Sequence, residues 1–505
     1  MSFNHQNKIS RRRFLQSTAV GAAGLSIAPY LNCGKTGVTA PMKRPFGKLD
    51  FEVTTLGLGG QASIQWTPED VDPVKIILKA FEMGVNYFDT SNLYGPSQAN
   101  FGKAFQQLNL IPGQAGYDEK RRRSIFLTSK THLRWAKGEP DIEGVGNWTH
   151  GPRGSKTIDD VKRTLSQIFG DGQGNYPEGA YLNLVLIHSL RTLAEVDALY
   201  AGVENTDPSA ENIGALAALR DYRDGTNLTG LNPREEKLIR HIGFSGHFSP
   251  PVMMEMIQRD QYKILDGLLV AINPNDRLNF NMQYNVIPVA AAKNIGIIAM
   301  KVFADGALYS KAAEWSREPA HVVRTVGSPE LPSRPLVEYA LTTPGIGTAI
   351  IGIGEISENP EACQLTQNFS AAQILPAGLS ETDRRAIEKT ANQVKDGQTN
   401  YFQSGAEPLS APQAVACTQQ KRDDQRLVEL TWHTAYAGDE PIKQYQIWRD
   451  DQKIATVEHR PQIDKTPFKY EDPVADEAAH TYKVVTVDAV DRTASSEALI
   501  VEPMV

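Results

Sequence analysis

Gly84-Val85-Asn86-Tyr87-Phe88-Asp89-Thr90-Ser91-Asn92-Leu93-Tyr94-Gly95 is an apolar run that ends in a carboxylate and carries a tyrosine five residues further on. Val85 to Phe88 suits a strand buried on both faces, with Asp89 at its carboxyl end. Two other runs repeat this pattern. Ile125-Phe126-Leu127-Thr128-Ser129-Lys130 ends in a lysine, and Leu182-Asn183-Leu184-Val185-Leu186-Ile187-His188 ends in a histidine. Parallel α/β folds carry their chemistry at the carboxyl ends of strands. Asp89, Tyr94, Lys130 and His188 are therefore the candidate reactive groups.

Working outward, further strand-like runs cover Val53–Gly59, Arg240–Ser245, Gly267–Asn273, Gly296–Lys301 and Thr348–Gly352. Helical patterns separate them. In Val74–Met83, Ile76, Ile77, Ala80 and Phe81 form one apolar face, and Gly84 is a natural stop. Ser155–Phe169, Pro251–Gln258 and Leu336–Leu341 read similarly, and Ser380–Val394 reads as a closing helix. Eight strand–helix units predict a (β/α)8 TIM barrel over 44–398. Insertions at 131–155 and at 202–235, the second with a helix over Ala210–Tyr222, shape a substrate pocket or decorate the surface.

The chain has 505 residues, 41% hydrophobic and 22% charged, with a net charge of −7. A general nucleic-acid binder would show a strongly basic face, which this balance argues against. Cys33, Cys363 and Cys417 lie far apart with no metal spacing, so neither a metal site nor a disulfide framework is expected.

Both ends differ from the barrel. Ser10-Arg11-Arg12-Arg13-Phe14-Leu15-Gln16 precedes a mildly apolar run from Ser17 to Leu31. This resembles a twin-arginine export signal over 1–40, and so a periplasmic or otherwise exported protein. The run is too weakly apolar for a spanning helix, which needs about 20 apolar residues. Leu31-Asn32-Cys33 matches a lipoprotein site poorly, because Asn32 and Tyr30 do not fit it. After a linker at 399–411, the segments Leu427–Trp432, Lys443–Arg449, Lys453–Val457, Tyr482–Val487 and Ala498–Val501 alternate with period two. They predict an antiparallel sandwich over 412–505. Trp432, Tyr445 and Tyr482, with Val487-Asp488 and Ser495-Ser496, resemble a fibronectin type III domain. By fold analogy such a sandwich is a spacer or an envelope contact.

Leu56-Gly57-Leu58-Gly59-Gly60, Asn86 to Thr90, Leu93-Tyr94-Gly95, Thr128-Ser129-Lys130, Ile187-His188 and Ile242-Gly243-Phe244-Ser245 resemble the aldo-keto reductases, in order and at the expected strands. The resemblance implies a catalytic tetrad at Asp89, Tyr94, Lys130 and His188, NADP or NAD as cofactor, and a small-molecule carbonyl substrate. It places Gly59, Ser245, Asn273, Lys301, Gly352, Gly354 and Glu355 around the cofactor, and it implies a helix near Ser357-Glu358-Asn359-Pro360 for a phosphate. Glu355, a carboxylate where a basic residue is common, leaves NADP and NAD both open. Trp66 is a candidate wall for the substrate.

Chemistry supports these roles independently. Reducing a carbonyl by hydride transfer builds negative charge on oxygen, which a proton donor must meet. A tyrosine with a pKa of about 10 is a sluggish acid, and a nearby ammonium favours its phenolate. A buried lysine needs a carboxylate such as Asp89, and a neutral imidazole can orient the carbonyl. Taken singly, Asp89–Lys130 also fits a structural ion pair and His188 a structural histidine. A non-catalytic binding protein on the same scaffold is the alternative, because a periplasm has no obvious supply of reduced nicotinamide.

Overall fold

The computed structural model describes residues 40–279, 281–399, 408–423 and 425–504. The export pattern, Cys33 and most of the 399–411 linker lie outside the described residues.

Eight parallel strands close into a barrel. They are β1 (Leu56–Gly59), β2 (Tyr87–Asp89), β3 (Phe126–Thr131), β4 (Leu182–Leu190), β5 (Ile239–Gly246), β6 (Leu265–Ala271), β7 (Gly296–Met300) and β8 (Ile346–Gly352). Their order round the ring is sequential, and β8 pairs with β1. Each of the eight expected runs holds one barrel strand or most of one, and Val53–Gly59 also takes in the end of a hairpin strand. A hairpin of Lys43–Pro45 with Glu52–Thr54 precedes β1. Phe46 then fills the amino end of the barrel, fully buried with Tyr87, Phe126, Leu184 and Leu186.

Helices separate successive strands because their apolar stripes need the outer face of the ring. Among them are α1 (Pro73–Glu82), α2 (Ser97–Gln107), α3 (Thr157–Phe169), α4 (Leu193–Tyr200), α5 (Ala215–Asp224), α6 (Pro250–Gln258), α7 (Val286–Ala292) and α8 (Ser333–Leu341). In α1, Asp72 accepts from the amides of Val74 and Lys75, so the start is capped, and Ile76, Ile77 and Ala80 are buried. The two expected insertions join: Trp135–Lys137 pairs antiparallel with Ile213–Gly214.

The residues after β8 correct one expectation. Ser357–Pro360 forms no helix; α9 starts at Gln364 and runs to Ala371. Pro360 and the turns that Ser357 and Asn359 form with their own backbone delay its start. The closing helix α10 spans Glu381–Asn392.

Beyond it, two antiparallel sheets pack as a sandwich around Trp432, which is fully buried and stacked 5.8 Å from Phe468. Sequence patterning misses three strands, one of them the three-residue Thr493–Ser495. Gln413–Arg422 is an edge strand with much of its length exposed, and Phe468–Val474 contains Pro473. The sandwich is tied to the barrel. Asn285 and Ala437 exchange hydrogen bonds of 3.1 and 2.8 Å, and Arg277 lies 3.2 Å from Glu388 and 3.5 Å from Glu440. Among the described residues no helix is long and apolar enough to cross a membrane.

Candidate active site

The site grows from the carboxyl ends of β2, β3 and β4. Asp89 and Lys130 end adjacent strands and form an ion pair whose side chains are 1% and 0% exposed. The Lys130 ammonium also donates to the carbonyl of Thr90 at 2.9 Å. Burial pulls the Lys130 pKa below the ordinary lysine value and pushes that of Asp89 up, and in each case the partner opposes the shift. Contact between the two, helped by the Thr90 carbonyl, opposes the cost of burying their charges.

Tyr94 arrives on the loop after β2. A turn closes from the Tyr94 amide to the Ser91 carbonyl at 3.0 Å, and Gly95 follows at φ +48° before α2 begins. That conformation suits glycine. The turn aims the Tyr94 ring across the barrel mouth. The Lys130 Nζ atom lies 4.7 Å from its centroid, and the His188 ring stands edge-on at 5.8 Å.

His188 is buried, and its pKa is held well below 6.5 by burial first and by the nearby cation of Lys130 second. It is a neutral imidazole at neutral pH. Its Nδ1 lies 3.4 Å from the Ser91 hydroxyl. The structure thus brings Asp89, Tyr94, Lys130 and His188 into one cluster.

A cleft opens beside this cluster, with about 990 Å³ of empty space that includes its opening to solvent. Asp89 and Tyr94 line its inner end. Gly59, Trp66, Lys301 and Gly352 also line it. Buried in its wall, the Tyr309 hydroxyl and the Asn368 amide oxygen have no hydrogen-bond partner. Unsatisfied polar atoms facing an opening fit a polar ligand. Lys301 is not a solvated strand-end lysine. Its ammonium sits 3.3 Å from Asp305 and 4.8 Å from the centre of the Trp315 ring, and its backbone is left-handed at φ +58°. Lys311 pairs with the same Asp305 at 2.8 Å, so two cations share one carboxylate at the cavity wall.

Other expected cofactor residues stand off the cavity wall. The Ser245 hydroxyl accepts from the Ser189 amide at 2.9 Å. Asn273 caps the turn that follows it, accepting from the amides of Asn275 and Asp276 at 3.0 and 3.1 Å. The Gly354 and Glu355 amides both donate to the Gln364 side chain, at 2.7 and 3.1 Å. The glycines serve contacts within the protein: a Cβ on Gly354 would come within 2.4 Å of the Val323 carbonyl, and one on Gly59 within 3.1 Å of the Gly352 amide.

Long-range ion pairs hold the loop after β7 over the cavity. Arg324 binds Asp70 of the loop after β1 at 2.7 Å and Glu355 of the loop after β8 at 2.8 Å. Trp66 and Trp315 meet edge to face at 6.5 Å. Sequence reading missed Arg324, Gln364 and Asn368, since no local pattern marks a residue whose partners lie on other loops. Among the described residues no cluster of His, Cys, Asp or Glu could hold a metal ion.

A closed parallel barrel with a buried lysine–carboxylate pair under a tyrosine at its mouth defines a class of barrel enzymes. Residues 55–322, more than half of the chain, match the Aldo/keto reductase family, and the chain belongs to that family. It is 22% identical over 370 residues to the uncharacterized oxidoreductase YqkF of Bacillus subtilis, covering 70% of this chain and 97% of that one. A crystal structure of a Pseudomonas aeruginosa protein assigned to the aldo-keto reductases shares 21% identity at a TM-score of 0.39, covering 66% of this chain and 97% of that one. A fibronectin-III array of RIM-binding protein shares 18% identity over 20% of this chain and 33% of that one, at a TM-score of 0.14.

Proposed function

We propose that the protein is an exported reductase that reduces an aldehyde, ketone or sugar carbonyl by hydride transfer from the reduced form of NADP or NAD. The observation that carries this reading is the Lys130 ammonium, paired with Asp89 and set against the Tyr94 ring at the inner end of a large cavity. A bound nicotinamide would supply the hydride. The residues fit such a dinucleotide: Lys301 and Lys311 offer positive charge, and Tyr309 and Asn368 offer unsatisfied polar atoms.

The protein supplies the proton. Tyr94 Oη gives its hydrogen to the substrate carbonyl oxygen as negative charge gathers there. Lys130 favours the phenolate left behind, and Asp89 keeps Lys130 charged inside the barrel. Neutral His188 donates a hydrogen bond from Nε2 that orients the carbonyl, with Ser91 donating to Nδ1 to set that tautomer. The arginine-led segment at Ser10–Leu31 supports export, and the sandwich then serves as an envelope contact arm. The twin-arginine route carries folded proteins, so a cofactor can be loaded before export.

The test is oxidation of NADPH and of NADH by the purified protein with a panel of aldehydes, alongside native mass spectrometry. Aldehyde-dependent oxidation of either nucleotide supports the reading. A protein that neither binds nor oxidises either nucleotide refutes it.

A further inference from the structure

The barrel mouth has a second side that the cofactor cavity does not reach. The cavity walls come from β6, β7, β8, β1 and β2. The arc of β3, β4 and β5 carries a different set of side chains. His132 follows β3 and packs 6.0 Å from the His188 ring. Trp148, from the insertion after β3, lies 4.5 Å from His132. Arg191, directly after β4, places its guanidinium 4.6 Å from the Trp148 ring and 4.8 Å from the Phe248 ring beyond β5. A continuous wall of rings therefore runs from Tyr94 through His188 to one arginine.

That arginine is exposed and forms no salt bridge among the described residues. The cations deeper in the site are paired: Lys130 with Asp89, and Arg134 with Glu195 at 3.2 Å. His132 is neutral, its pKa lowered to about 2 mainly by burial, and His188 is neutral too. Among the described residues of this ring wall, Arg191 carries a positive charge with no carboxylate paired to it.

The platform is built to hold it. Glu195 is buried and accepts from the Arg191 amide at 2.7 Å and from the Gly146 amide at 3.4 Å. Trp148 is 49% exposed, yet both its neighbours are anchored. Asn147 accepts from the Arg134 amide at 2.8 Å, and Thr149 donates to the buried Asp160 at 2.6 Å. A guanidinium packed against two rings, with no carboxylate paired to it, has N–H donors to offer a planar or tetrahedral oxyanion.

We propose that Arg191 is a specificity-determining residue that receives the acid group of an anionic carbonyl substrate, at the end remote from the carbonyl. This rests on the reductase reading above. A carboxylate and a phosphate monoester share the chemistry, and the test separates them. Binding energy gained at a remote acid group can be used to position the carbonyl.

The experiment compares matched aldehydes in one enzyme preparation: 4-carboxybenzaldehyde against benzaldehyde, and glyceraldehyde 3-phosphate against glyceraldehyde. In the wild type, kcat/KM should favour the acid-bearing member of at least one pair by roughly ten- to a hundredfold. Arg191→Gln should bring that ratio to near one, and Arg191→Lys should keep part of it. A wild-type ratio near one in both pairs, or a ratio that survives in Arg191→Gln, overturns the proposal. If no aldehyde is reduced, the reductase reading fails separately. Tryptophan fluorescence titrated with benzoate and with inorganic phosphate then decides. Saturable quenching that Arg191→Gln abolishes supports an anion site, and no saturable change overturns it.

Discussion

Lys130 Nζ lies 4.7 Å from the centroid of the Tyr94 ring while it donates to Asp89, so one buried ammonium serves both a carboxylate and a phenol. Neither contact could be spared at low dielectric. Without Asp89 the buried lysine would be driven to lose its proton, and without Lys130 the phenol would lose the cation that lies against its ring.

Tyr94→Phe removes the proton donor and keeps the ring. Turnover should fall by about 10²–10⁴-fold, the usual contribution of a general acid. Nucleotide affinity, read by fluorescence, should change little, because the ring still lines the cavity. Turnover equal to the wild type would remove Tyr94 from its role.

Lys130→Met leaves the Asp89 carboxylate buried without its partner. Urea unfolding should show a loss of about 3–5 kcal/mol. The double substitution Lys130→Met with Asp89→Leu removes both charges and should recover most of that loss, with activity still absent. If the double variant is no more stable than the single one, the coupling is not electrostatic.

Three buried histidines of the mouth set the acid limit of stability. His132, His188 and His247 all have pKa values lowered in the folded state, chiefly by burial. Unfolded, each takes up a proton near pH 6.5. The unfolded state therefore binds more protons as pH falls, and each histidine should lower stability by about 1.4 kcal/mol per pH unit below about pH 6. Asp160 works the other way, since its folded pKa is raised to about 6 and it gains a proton before the unfolded chain does. Between pH 6 and pH 4 it should cancel about one histidine. A midpoint of thermal unfolding that is flat from pH 7 to pH 5 would contradict this.

Arg324 joins three loops over the cavity through exposed or half-exposed pairs with Asp70 and Glu355. Such pairs contribute about 0–1 kcal/mol to folding. Arg324→Ala should therefore leave the melting temperature nearly unchanged. It should raise the nucleotide dissociation rate several-fold, measured by stopped-flow fluorescence, because the loop after β7 is freed. An unchanged dissociation rate would show that the clasp does not gate the cavity.

Much of the architecture is local, and sequence reading reaches it. Runs such as Leu184-Val185-Leu186-Ile187 have no polar face, so they must be covered on both sides, and the barrel follows. Asp89, Lys130 and His188 were legible for the same reason, since a polar group near the end of a buried strand stands out, and Tyr94 was legible from the loop that follows Asp89. The residues expected around a cofactor were less so. Asn273 and Ser245 sit at strand ends too, yet their side chains satisfy backbone amides. Nothing in one segment says whether a strand-end amide caps a turn or meets a ligand. Phe468–Val474 was hidden by Pro473, tolerated on a strand that pairs along one edge only.

The order of apolar runs and breaks by itself determined a ring of eight strands and the ends at which its polar groups emerge, because periodicity and burial are properties of neighbouring residues. Only the tertiary structure decided which charges are paired and which are free. Arg191, Arg324 and Lys301 are alike as residues in a row of letters. One lies unpaired between two rings, one bridges two carboxylates, and one shares a half-buried carboxylate with a second lysine. A charge is governed by what lies within a few ångströms of it, and the partners come from loops that the chain separates by up to 254 positions.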